Sequence, residues 1–256
     1  QLNSLWLMLV LLLCIFSAII EHLRFGVISL FFMSLTGLIF FIFDNSRFNS
    51  KAKSFVAITL LLLCSLPLLY NAKNDVRWLS LIETIPIAMD TENNTFWRDE
   101  NYNNVPKLTD GTDVNHSNYM RVAWAVKGIE FITNDIFGIG YGKNIFGHAI
   151  EKYEKNNTVR GWHSHSAIID FTIGVGLIGL IIWLLFISKI IISSTSVFIN
   201  SGNYFSLLTI FITSGFFIRS IIDSNMRDHM FKQFFLILGI ALTLTFYEYK
   251  KKQKEL

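Results

Sequence analysis

The sequence predicts an all-α fold: a polytopic membrane helix bundle carrying a large, mostly helical loop domain on one face. Three observations predict it. Hydrophobic residues make up 52% of the chain. Apolar runs close to the ~20 residues needed to cross ~30 Å of hydrocarbon recur at both ends. Between them, residues 71–166 are Asn-rich, mixed in charge and without any such run. Recurrence at both ends excludes a soluble domain with one anchor.

In chain order, spans are expected at about 4–20, 25–43, 55–70, 167–188, 205–222 and 231–248. They divide the chain into three spans over 1–70, a loop domain over 71–166, three more spans over 167–249 and a basic tail over 250–256. The chain opens on Gln1 with no initiator Met, no basic n-region and no small-residue cleavage site. Residues 5–20 are therefore not a signal peptide, and the chain is expected to be the C-terminal part of a longer one. Cys14 and Cys64 sit inside apolar runs and read as small buried hydrophobes, not as a disulfide framework or metal site. The net charge is +3 with dispersed basic residues, which gives no argument for nucleic acid as a partner. The exception, Lys250-Lys251-Lys252-Gln253-Lys254, reads as a topology signal.

The excess of Lys and Arg on cytoplasmic loops sets the orientation. Arg47, Lys51 and Lys53 make the loop 44–54 cytoplasmic, and the Lys-rich tail is cytoplasmic too; an even number of spans separates them, so the two assignments agree. Residues 21–24, 71–166 and 223–229 then share the opposite side. Within the loop domain, Tyr119, Val122, Ala123, Val126, Ile129 and Ile132 recur at helical spacing. They predict a helix over 118–135 with Asn118 as N-cap, Arg121 in the first turn, and Lys127 and Glu130 on other faces. Gly138-Ile139-Gly140-Tyr141-Gly142-Lys143 follows. It is either a tight turn or a place of close backbone approach to a ligand; no βαβ context makes it a dinucleotide site. Residues 90–116 read as an irregular or mobile loop.

The candidate chemistry gathers where the loop domain meets the fourth span, at Gly161-Trp162-His163-Ser164-His165-Ser166. Histidine is a poor interfacial anchor but titrates near neutral pH. His165 is the preferred general base, while a structural boundary role remains open for at least one of the pair. A His-x-His pair can bind metal, yet no Cys/His/Glu cluster or Asp-x-Asp pair completes such a site, so no metal and no cofactor is expected. Asp170, one turn inside the span, either orients a histidine, lines a polar cavity or bonds to a neighbouring helix. Arg24 and Arg121 either snorkel and solvate or present guanidinium groups to a phosphate.

His165-Ser166, nine residues, then Gly176-Leu177-Ile178-Gly179 resembles the His-[Asn/Ser/Gln]-x9-Gly-x-x-Gly pattern of the O-antigen ligase family. Arg24, in His22-Leu23-Arg24-Phe25-Gly26, is similar to the family arginine at the outer end of an earlier span. Arg121, heading a helix that leads to the Gly138-Ile139-Gly140 turn, is similar to the one in its large loop. The resemblance covers most of the chain. It implies a GT-C-like fold in the bacterial inner membrane, with residues 71–166 periplasmic. It also implies metal-independent glycosyl transfer from an undecaprenyl-diphosphate-linked glycan donor to lipid A–core. His165 would remove the acceptor proton, and Arg24 and Arg121 would bind the diphosphate and stabilise the leaving group. Lys143 and Arg160 are weaker candidates for acceptor phosphates, and Asp170 for the cavity wall; membrane lipids complete the expected partners. O-antigen polymerases and protein O-oligosaccharyltransferases share the loop architecture. A transporter or flippase with Arg24 and Asp170 along its pathway is the rival class, and a membrane scaffold the third. The loop 223–229, with Asp223, Arg227, Asp228 and His229, reads as a structural ion-pair cluster.

Overall fold

The computed structural model describes residues 80–98, 104–154 and 163–254, with isolated positions between 31 and 73. The three spans expected within 1–70 lie outside the described residues, and so do Arg24 and Arg160. Among the described residues every extended element is helical: α1 (Leu81–Met89), a 3-10 turn (Thr95–Arg98), α2 (His116–Asn134), α3 (Ile145–Tyr153), α4 (Ala167–Ser201), α5 (Tyr204–Ile222) and α6 (Asp228–Lys254). The last three are long and apolar enough to cross a membrane.

The loop-domain helices pack through a stripe on α2. Tyr119, Met120, Ala123, Trp124, Lys127, Gly128 and Phe131 are buried, while Ile129 is exposed. This moves the buried face by one position from the one the apolar spacing predicts. The reason is Lys127, expected on an outer face. Its ammonium lies 2.7 Å from both Glu130 and Glu154 and above the rings of Trp97 and Phe131. Burial alone would lower its pKa, but the two carboxylates hold it above the ordinary lysine value. Asn115, not Asn118, caps the helix: its side chain accepts from Asn118 N at 3.1 Å, and Asn118 is buried in the first turn.

Within the stretch 90–116, residues 90–98 are better anchored than its composition suggests. Phe96 and Trp97 are buried in the 3-10 turn. Trp97 Nε1 donates to Thr91 O, Tyr119 Oη to Asn94 O and Trp124 Nε1 to Trp97 O, at 3.0, 2.7 and 2.9 Å. Two large aromatic side chains bring enough buried area to fix an otherwise polar segment.

In the bundle, Phe216 stacks on Phe234 at 3.8 Å between ring centres, and Trp183 meets Phe231, Phe234 and Phe235. The Thr209 and Thr245 hydroxyls hydrogen-bond across α5 and α6 at 3.0 Å, a contact that lipid cannot replace. α4 begins at Ala167 as expected but runs past residue 188 to Ser201, where Gly202 closes it at φ 63. α6 starts at Asp228 and carries the basic tail in its last turns.

α4 is not straight. Gly176 breaks it at φ 74, ψ 179. A continuous helix of 35 residues would rise ~52 Å, and the 19 residues of α5 rise ~28 Å. Yet the two helices are joined at both ends, by the Gly202–Asn203 hairpin and by Ala167 N donating to Asp223 O at 3.0 Å. Residues 167–175 must therefore turn aside at Gly176 and lie across the end of the bundle. The glycine-rich segment fills the break. Ile139 N donates to Ile173 O, Gly140 N to Gly174 O and Leu177 N to Ile136 O, at 2.9, 3.0 and 2.9 Å. A Cβ on Gly138 would lie 2.5 Å from Gly176 N, and one on Gly176 would lie 2.5 Å from Ile136 O. The close approach these glycines permit is between two stretches of this backbone.

Candidate active site

The histidine turn is tied to the first residues of α4. Ser166 caps the helix, its hydroxyl accepting from Ile169 N at 3.5 Å. Ser164 Oγ donates to Ser166 O at 2.9 Å, and Ser164 N donates to Asp170 Oδ1 at 2.9 Å. Ser224 Oγ reaches Asp170 Oδ2 at 3.5 Å. Asp170 thus grips the peptide between the two histidines rather than either ring. His165 takes the left-handed conformation at φ 58, open to histidine but costly, and typical of functional turns. That twist brings the rings of His163 and His165 to 4.4 Å. The other side of His165 stacks on Trp124 at 5.4 Å and 16°.

The site is electropositive. Burial first, then the neighbouring His163, Arg121 and Arg227, together push His165 down to about 4, with Asp223 opposing. Burial, then Arg227, also lowers His163. Both imidazoles are therefore neutral near pH 7 and able to accept a proton. His165 lies below the near-neutral range in which a base works best.

A cavity of about 440 Å³ opens beside this turn, lined among others by Tyr141, Lys143, His163, Asp170, Arg227 and Asp228. Lys143 and Asp170, both singled out in the sequence, meet there. His163, the histidine out of register with Gly176, lines the cavity, and the His165 ring lies 4.4 Å from it and stacks on Trp124. Arg121 Nη1 donates to Ser117 O at 3.3 Å and bonds to Ser117 Oγ. It joins the site through its charge on both histidines. Arg227 was expected in a structural ion-pair loop. Its Nε lies 3.9 Å from Asp228 Oδ2, as does Lys143 Nζ from Asp228 Oδ1, and both cations border the cavity. Parity had already put residues 223–229 on the histidine side, the one signal that could have found Arg227. Trp124 follows Arg121 by one turn and stands among the residues that carry the family resemblance, but nothing in the sequence marks it as the partner of a histidine.

No curated protein and no solved structure matches the chain. A family model described as O-antigen ligase matches residues 9–184, more than half of it. The match runs through the loop domain, across the histidine turn and past the Gly176–Gly179 break. The chain belongs to the O-antigen ligase family, and with it to a superfamily of glycosyltransferase-like membrane enzymes.

Proposed function

We propose that this chain transfers an undecaprenyl-diphosphate-linked O-antigen polysaccharide onto a sugar hydroxyl of lipid A–core, without a metal ion, at the periplasmic face of the bacterial inner membrane. The observation that carries the reading is the neutral histidine pair set among Arg121, Lys143 and Arg227, where the loop domain meets the membrane span. The acceptor oxygen attacks the anomeric carbon. Its bond to the diphosphate oxygen breaks, undecaprenyl diphosphate leaves, and His165 takes the hydroxyl proton. A diphosphate leaving group calls for charge neutralisation more than for protonation, and guanidinium groups supply it. Arg121, with Arg24 by family resemblance, holds that charge.

The low proton affinity of His165 fits this order of events. Burial is the main cause, and the cations that add to it, Arg121 and Arg227, are groups a diphosphate would engage. Donor binding offsets their field and raises the imidazole toward the range where a base gives ~10²–10⁴-fold acceleration. Asp170 acts through Ser164 and is a positioning residue.

The test is transfer of a labelled glycan from the polyprenyl donor in proteoliposomes of the full protein, with lipid A–core as acceptor. His165→Ala is expected to abolish transfer while donor binding persists. Transfer at the wild-type level by that variant would overturn the mechanism. Elongation of the donor glycan, or transfer to a protein hydroxyl, in place of transfer to lipid A–core would reassign the acceptor, and movement of donor across the bilayer without transfer would reject the enzyme.

A further inference from the structure

We infer that the turn joining α2 to α3 is a membrane contact, with Ile136 and Phe137 inserted into the lipid interface on the side of the histidine pair. Three observations meet here. First, Ile136 and Phe137 are 48% and 72% exposed, although both are large and apolar. Second, their height is fixed, because the three backbone hydrogen bonds to residues 173–177 pin the turn to the Gly176 break. Third, that break is where α4 turns down into the bundle. From Leu177 to Ser201 the helix rises ~37 Å, more than the ~30 Å hydrocarbon core and less than the ~40–45 Å that includes both headgroup layers. The turn therefore stands in the headgroup layer, at the top of a surface already apolar: Leu177, Ile178, Ile181 and Ile182 are exposed directly below it.

Part of the turn's backbone is already occupied. Gly138 N donates to Asp135 O, Ile139 N and Gly140 N donate to α4, and Ile136 O accepts from it. The remaining amide groups keep water partners in the headgroup layer, above the hydrocarbon from which irregular backbone is excluded. The neighbouring charges are held as a pair, Lys152 Nζ lying 3.0 Å from Asp135 Oδ2. The occupant is the bilayer itself, through its upper acyl chains. The consequence is a depth gauge: a turn bonded to residues 173–177 and seated in lipid fixes the height of the histidine turn at the start of the same helix.

The inference rests on the membrane placement of α4 and not on the glycosyl-transfer reading. It is tested in the full chain, with Cys14 and Cys64 replaced by Ser and an environment-sensitive fluorophore attached through Phe137→Cys, and separately through Ile136→Cys. The protein is reconstituted in phospholipid vesicles. Thr109→Cys serves as the aqueous reference and Ile182→Cys as the deep one. Quenching by a phospholipid spin-labelled high on its acyl chain is expected to exceed that at Thr109 severalfold, with iodide quenching correspondingly reduced. Iodide access equal to that at Thr109 would overturn the inference. So would protection from both quenchers, which would mean that protein covers the turn. An Ile182 probe reached by iodide would overturn it together with the span.

Discussion

Replacing Gly176 with alanine tests the interlock between the broken helix and the glycine-rich turn. The residue sits at φ 74, ψ 179, a region that is essentially glycine-only and costs ~1–3 kcal/mol for a residue with a Cβ. The added carbon would lie 2.5 Å from Ile136 O and from Phe137 C. Relieving that clash means separating the turn from α4 and losing up to three backbone hydrogen bonds, each worth ~1 kcal/mol. Together these come to about 4 kcal/mol, a fall in Tm of roughly 10 °C for a chain of this size. Thermal unfolding of the full protein in detergent or nanodiscs measures it. Gly138→Ala meets the same backbone from the other side, at 2.5 Å from Gly176 N. The double variant should lose clearly less than the sum of the two single losses, since both break one contact. Gly239→Ala is the control: nothing lies within 4 Å of its Cβ position in α6, so it should be neutral or up to ~1 kcal/mol more stable. A Gly176→Ala protein that melts with the wild type, or losses that add in full, would refute the reasoning.

The depressed histidines carry a pH dependence. The folded chain binds these protons below 6.5, His165 at about 4, whereas the unfolded chain takes them up near 6.5. Stability is therefore complete above about pH 6.5 and declines as pH falls toward 4. Melting curves at stepped pH should show a shallower decline for His165→Gln, and equal slopes would contradict the assignment. Asp170→Ala frees the Ser164 amide and should lower kcat with little change in donor KM. Asp170→Asn keeps an acceptor for it and should recover much of the rate; an active Asp170→Ala enzyme would leave the residue a packing role. Arg121→Lys should impair transfer nearly as much as Arg121→Ala, because an ammonium lacks the guanidinium fork. Near-normal lipopolysaccharide ladders from the Lys variant in a complementation assay would contradict that.

The parts of this fold set by local rules could be read in advance. The start of α4 followed from the switch from polar to apolar residues at Ala167, and the register of His165 with Gly176 and Gly179 from simple spacing. α2 was found by its period, but its buried face was misjudged because Lys127 occupies a core position that only Glu154, distant in sequence, makes tolerable. The anchoring of residues 90–98 depends on Asn94 and Trp97 meeting α2 and on the short-range bond from Trp97 to Thr91, which periodicity does not record. Gly176 gave no sign of a break, since a glycine in an apolar run is ordinary in a membrane helix. The break exists because the chain must be joined to α5 at both ends. In the candidate site, the motif singled out His165, while the placement of His163 against the cavity and of Arg227 beside it came from the meeting of α4 with the α5–α6 loop.

Trp124 has two allegiances. One edge of its indole is bonded into the centre of the loop domain, through Nε1 to Trp97 O, and its face is the wall on which the His165 ring lies. The domain interior and the imidazole proposed as the base therefore share a single rigid plate. A change at Phe96, Trp97 or Phe146 that the protein survives will still tilt that plate. Variants chosen only for robust folding of the loop domain will drift in turnover, and repacking here cannot be treated as silent with respect to chemistry.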